Sequence, residues 1–148
     1  MVAQPRSEQP EQPMQPIILI VDDDPGIRES LSILFEDAHY PVCEARDGAE
    51  ALEILQRETW PCVMLLDRMM ARLDGVRTLH RFVDLPAEIR RRTSILFMTA
   101  RSDPLGSTEE QFIQRVIFAT VPKPFDLDTL LALVAQAGRQ LMRGASDA

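Results

Sequence analysis

The stretch Ile17-Ile18-Leu19-Ile20-Val21-Asp22-Asp23-Asp24-Pro25 decides how the rest of the chain is read. Five consecutive apolar residues, four of them β-branched, make a strand buried on both faces, as in a parallel sheet covered by helices. The run stops at three carboxylates. Asp24-Pro25 then starts a helix, because a carboxylate caps the exposed N–H groups and proline stands where no N–H is needed. Ile27, Leu31, Leu34 and Phe35 follow at helical spacing and give that helix one apolar face.

Working outward, the same unit recurs. Tyr40 to Ala45 contains Pro41 and alternates, as an edge strand does. Asp47-Gly48-Ala49-Glu50 is a capping box opening a second helix through Leu52 and Leu55. Cys62 to Leu66 is a third strand, and Asp74-Gly75 leads into a helix carrying Val76, Leu79 and Phe82. Ser94 to Met98 is a fourth strand, after which Ser107 with Glu110 and Thr108 with Gln111 compete to cap a short fourth helix. Val116 to Val121 is a fifth strand, and Asp126 caps a last helix with Leu127, Leu130, Leu131, Val134 and Leu141 inward. Five alternations of strand and helix predict an α/β fold, a parallel sheet with helices on both faces.

The 148 residues suffice for one domain with a real core. A net charge of −7, with no dense basic stripe, argues against a general nucleic-acid binder. The longest apolar run, Leu130 to Ala135, is six residues, so no membrane span is expected. The start carries no secretory pattern, and Cys43 and Cys62 form no C-x-x-C pair, so a cytoplasmic location is expected. Met1 to Pro16, with four Pro and four Gln, reads as a disordered tail, and residues 144–148 as a short C-terminal one. Of 16 basic residues only Lys123 is Lys.

Ligands of an open parallel sheet bind beyond the carboxyl ends of its strands, where the strand order reverses. Those ends carry Asp22, Asp23 and Asp24 after the first strand, Asp67 after the third, Thr99 after the fourth and Lys123 after the fifth. Each alone has an ordinary explanation as a cap, turn residue or solvated charge; their concurrence at matched positions points to a site. Asp22, Asp23 and Asp67 together would repel unless a cation sat among them, and all-oxygen ligands with room for water suit Mg²⁺. Phosphorylating Asp67 would replace its single charge by about −2, and the Thr99 hydroxyl, the Ala100 N–H and Lys123 are the donors at hand. A carboxylate nucleophile with metal and ammonium on the equatorial oxygens is a phosphoryl-transfer site.

Ile18 to Asp24, Leu65-Leu66-Asp67 with Asp74-Gly75 downstream, Met98-Thr99-Ala100 and Val121-Pro122-Lys123-Pro124-Phe125 together resemble a response-regulator receiver domain of two-component signalling. The resemblance covers about residues 16 to 143 and implies a doubly wound, flavodoxin-like five-stranded sheet in the order 2-1-3-4-5, with residues 17–143 as the domain. It implies that Asp67 is the phosphoacceptor, charged from a sensor histidine kinase or a histidine phosphotransfer protein. Asp22, Asp23, Asp67 and the Met69 backbone carbonyl would hold Mg²⁺, with Asp23 the more direct ligand of the acidic pair, and Thr99 and Lys123 would engage the phosphoryl group. In relatives the peptide matching Lys123-Pro124 is cis. Met69 and Arg101 would flank the approach of hydrolytic water. Output would pass to a downstream protein; no nucleic-acid or membrane partner and no enzymatic activity beyond self-phosphorylation and dephosphorylation are expected.

Three positions depart from the family pattern: Ala71 stands where relatives carry Pro, Thr120 where they carry Tyr or Phe, and a loop with Pro104 and Gly106 lengthens the stretch from Thr99 to Lys123. These leave room for a phosphate-independent binding module. A haloacid-dehalogenase-like phosphatase using Asp22 and Asp24 is a distant alternative, since Gly26 stands where it needs a hydroxyl. His39, His80, Trp60 and Cys62 read as structural or solvent-facing, and Arg90-Arg91-Arg92 as a solvated basic loop.

Overall fold

The computed structural model describes residues 15–70, 72–100 and 107–147. Residues 1–14, Ala71, Arg101, Pro104, Gly106 and Ala148, which carry some of the expectations above, lie outside the described residues. Strands β1 (Ile17–Val21), β2 (Val42–Ala45), β3 (Cys62–Asp67), β4 (Thr93–Thr99) and β5 (Ala119–Pro122) form one parallel sheet in the order β2-β1-β3-β4-β5. The connecting helices are α1 (Pro25–Asp37), α2 (Gly48–Arg57), α3 (Gly75–Phe82), α4 (Ala87–Arg91), α5 (Thr108–Val116) and α6 (Leu127–Asp147). The order reverses at β1, which pairs with β2 on one side and β3 on the other.

The period-2 geometry of each strand divides the core. Ile18 and Ile20 of β1 join Val63, Leu65, Leu96, Met98 and Val121 under α1 and α6. Leu19 and Val21 join Met64, Leu66, Ile95 and Phe97 under α2, α3, α4 and α5. Both faces of β1 and β3 are sealed, and each such side chain contributes about 1.5–3 kcal/mol through burial.

The helix ends follow capping chemistry. Asp24 accepts from the N–H groups of Gly26 and Ile27, Asp47 from Glu50, Asp74 from Arg77, and Asp126 from Thr129. Ser107 wins the competition at α5, accepting from the Glu110 N–H. At the other end of α1, His39 takes the left-handed conformation with φ of 72°. The Tyr40 N–H reaches Phe35 O and the His39 N–H reaches Glu36 O, while the Tyr40 and Phe35 rings meet edge-on, a Schellman ending in full.

Four expectations are corrected. The fifth strand begins at Ala119, because α5 continues through Val116 and closes with the Ile117 N–H on Ile113 O; the apolar run crosses the helix-strand junction without marking it. The short helix α4 was not expected, and it contains Arg90 and Arg91. Arg90 donates to Leu85 O and Arg92 to the Leu55 and Glu58 carbonyls at the end of α2, so this run is tied to backbone rather than simply solvated. Helix α6 runs to Asp147, and Leu127 at its first position is half exposed rather than inward.

Candidate phosphoacceptor site

Four strand ends meet at one rim. Asp22 directly follows β1 and is nearly fully buried, at 1 % exposure. Its N–H donates to Ala45 O at the end of β2, and its Oδ1 accepts from the Asp24 N–H at 2.9 Å. Its Oδ2 is buried and has no hydrogen-bond partner. Burial first, and the neighbouring Asp67 charge second, push the Asp22 carboxyl above the usual carboxylate range, against the lowering effect of the Asp24 N–H. The three consecutive aspartates thus divide their work: Asp24 spends its carboxylate on the cap of α1, whereas Asp22 and Asp23 turn an oxygen each toward Asp67. A D-x-D phosphatase arrangement would need the Asp24 carboxylate that the cap holds.

Asp67 ends β3 at 4 % exposure, and Lys123 Nζ donates to its Oδ1 at 2.8 Å. Lys123 is delivered by the end of β5, where its own N–H bonds Thr99 O at 2.9 Å. The Lys123-Pro124 peptide is cis, as the resemblance implied. Thr99 ends β4 and is 7 % exposed, Ala100 follows it at the surface, and the Met69 side chain, two residues past Asp67, is exposed. Asp74-Gly75 has a steric meaning. The Gly75 N–H bonds Arg68 O at 2.9 Å, and α3 starts so close to β3 that a Cβ at Gly75 would lie 2.7 Å from Asp67 O.

Carboxylate oxygens of Asp22, Asp23 and Asp67 lie within 4.8 Å of one another. A buried carboxylate oxygen with no donor is costly alone and satisfied by a cation, and the all-oxygen donor set suits a hard ion such as Mg²⁺. The residues present therefore fit a divalent metal.

Sequence reasoning missed Arg68. This side chain is 4 % exposed, with NH1 on Glu110 at 3.1 Å and NH2 on Glu109 at 3.2 Å, and its guanidinium lies 5.7 Å from the centre of the Phe97 ring. It links the residue after Asp67 to the first turn of α5. The signal available was a charged residue between a buried strand and a second charged cluster forty residues on, which is too weak to pair by inspection. Thr120, in place of the usual aromatic, is exposed on β5 and accepts from Gln114 of α5 at 3.4 Å. His80, also exposed, stacks on Phe112 with centroids 4.0 Å apart and so joins α3 to α5. Cys43 and Cys62 are free thiols, and burial pushes that of Cys62 well up.

A family profile described as response regulator receiver domain matches residues 18–135. The response regulator Rre1 of Synechocystis sp. is 35% identical over 124 residues, covering 79% of this chain and 49% of Rre1. The response regulator MprA of Mycobacterium leprae is 39% identical over 123 residues, covering 79% of this chain and 48% of MprA. The chain therefore spans about half the length of these curated relatives. Among solved structures, the chemotaxis protein CheY4 of Vibrio cholerae superposes with a TM-score of 0.71 at 28% identity, covering 84% of this chain and 99% of CheY4. No helix among the described residues is long and apolar enough to cross a membrane.

Proposed function

Because this chain belongs to the response regulator receiver domain family, we propose that Asp67 is its phosphoacceptor, charged by a phosphohistidine on a sensor kinase or histidine phosphotransfer protein. The protein is a receiver domain of two-component signal transduction. The observation that carries the residue assignment is the meeting of Asp67 with Lys123 at 2.8 Å beside the orphaned oxygen of Asp22. Lys123 engages Oδ1, so the other carboxylate oxygen of Asp67 attacks phosphorus while the phosphorus–nitrogen bond breaks and its electron pair returns to the donor imidazole. Bound Mg²⁺ supplies positive charge against the phosphoryl oxygens; Asp22, Asp23, Asp67 and the Met69 carbonyl would hold it. The Thr99 hydroxyl, the Ala100 N–H and the Lys123 ammonium donate to the oxygens that Asp67 gains. Water attacking the acyl phosphate then restores the carboxylate and releases inorganic phosphate, so the domain promotes only its own charging and discharge.

Output runs through protein contacts of the α5, β5 and α6 side. Thr120 cannot swing an aromatic ring inward, and the Arg68 tether to Glu109 and Glu110 is the connection from the Asp67 loop to α5 that this chain supplies instead. The same reading puts the working unit at residues 17–143, in the cytoplasm with its donor. The test is incubation with Mg²⁺ and acetyl phosphate, read by intact mass. One hydroxylamine-labile phosphoryl group, absent from Asp67→Asn, is expected; no adduct on a protein that binds Mg²⁺ would overturn the assignment.

A further inference from the structure

We propose that Arg28 is a positioning residue for the metal site, holding the Asp22 peptide so that the free oxygen of Asp22 stays aimed at the cation. Arg28 lies in the first turn of α1 with its side chain 18% exposed. Its NH1 donates to the Asp22 carbonyl oxygen at 2.6 Å, a short charge-assisted bond. Its Nε donates to Glu44 Oε1 on β2 at 3.1 Å, and Glu44 Oε2 accepts from the buried Ser32 hydroxyl, one turn further along α1, at 2.8 Å. The guanidinium is therefore held at both ends.

The consequence falls on Asp22. Its N–H is fixed by Ala45 O, its carbonyl by Arg28 and its Oδ1 by the Asp24 N–H, which leaves Oδ2 as the one polar atom without a hydrogen-bond partner. Mg²⁺ requires near-ideal octahedral ligands at about 2.0–2.1 Å, so a peptide that rocks by a few tenths of an ångström presents a poorer ligand. An exposed ion pair between Arg28 and Glu44 would by itself be worth little, and the bond to the Asp22 carbonyl is what gives the pair a purpose.

The inference rests on the metal reading above, and the sign of one measurement separates it from plain electrostatics. A guanidinium beside a cation site repels the cation, so if Arg28 acted through charge alone its removal would tighten Mg²⁺ binding. Acting through position, its removal weakens binding, by about tenfold on the scale seen for groups that orient metal ligands. Isothermal titration with Mg²⁺ at constant ionic strength, on the wild type, Arg28→Met and Arg28→Lys, decides it, with unfolding midpoints of the metal-free proteins taken alongside. Arg28→Lys keeps the charge and one donor and is expected to bind with intermediate affinity. Equal or tighter binding by Arg28→Met, even with a lowered unfolding midpoint, overturns the proposal. Should Arg28→Met fail to fold, Arg28→Lys decides: weaker than wild type supports the proposal and equal affinity overturns it. A wild type that binds no Mg²⁺ refutes the metal reading instead.

Discussion

Gly75 and Asp67 approach so closely that no side chain fits between them: a Cβ on Gly75 would stand 2.7 Å from the Asp67 carbonyl oxygen, 2.7 Å from Arg68 Cα and 2.8 Å from the Phe97 ring. The start of α3 and the end of β3 are thus in backbone contact directly behind the Asp67 side chain. Gly75→Ala forces one of them to move, at a cost of about 1–3 kcal/mol for overpacking a rigid site. Because the displaced backbone carries Asp67, charging by acetyl phosphate should slow by roughly tenfold, as misplaced reacting groups do. Denaturant unfolding and timed intact mass measure the two effects. Lost stability with an unchanged rate would show that α3 yields alone.

Asp22 carries a penalty that a bound cation would relieve. Burial holds its carboxyl above the ordinary range, so between the unfolded and folded values the folded protein retains a proton that the unfolded chain has lost. Stability of the metal-free protein therefore falls as pH rises through that window, and the penalty is constant above it. Asp22→Asn should raise metal-free stability at neutral pH, with the gain vanishing below about pH 4, where both states are protonated. Mg²⁺ at a hundred times its Kd should stabilise the wild type by about 2.7 kcal/mol and stabilise this variant clearly less. Thermal unfolding across pH, with and without Mg²⁺, reads both signs.

Arg68 is buried, but its partners are not equally so: Glu110 is 12% and Glu109 53% exposed in their side chains. Breaking a fully buried pair costs about 3–5 kcal/mol, and solvent near Glu109 reduces that, so about 1–3 kcal/mol is expected for Arg68→Met. The loss should be local. Amide hydrogen exchange should speed up in the first turn of α5, with that of β1 unchanged in relative protection. Uniform loosening would mean that Arg68 supports the core and not the helix.

His39 holds a left-handed conformation that L side chains occupy at a cost. Its neighbours already complete the hydrogen bonds and ring contact of the helix end, so glycine can replace it without disturbing them. His39→Gly should stabilise by about 0.5–1 kcal/mol, a rise of roughly 2–4 °C per kcal/mol in the unfolding midpoint. An unchanged or lowered midpoint would show that unfolded-state entropy cancels the relief.

Residues whose roles are local were legible in the sequence. The apolar run of β1, the caps at Asp24, Asp47, Asp74 and Asp126, and the strand-end aspartates each announce themselves within a few positions, and the sheet order came with the resemblance. The meeting of Asp22, Asp23, Asp67 and Lys123 at one rim was legible because strand ends converge in any parallel sheet. What stayed hidden depends on three-dimensional partners. Arg68 looks like any surface arginine until α5 brings Glu109 and Glu110 to it, and Arg28 looks like one until β2 brings Glu44. Arg92 reads as part of a solvated run until the end of α2 offers its carbonyls. Val116 and Ile117 are apolar in either a helix or a strand, so composition could not say where α5 stopped. The steric reason for Gly75 is invisible without the backbone that crosses behind it.

Lys123 gives the chain a built-in chemical handle. Its ammonium is the one side-chain amine in 148 residues, and it is pinned to Asp67 at 2.8 Å. An amine-selective reagent thus has one side-chain amine to find, at the centre of the site, and its speed of labelling registers how firmly Nζ is held there. Anything that changes the partner of that amine, whether a metal, a phosphoryl group or a docked protein, is open to readout by labelling kinetics on the native chain, with no probe introduced.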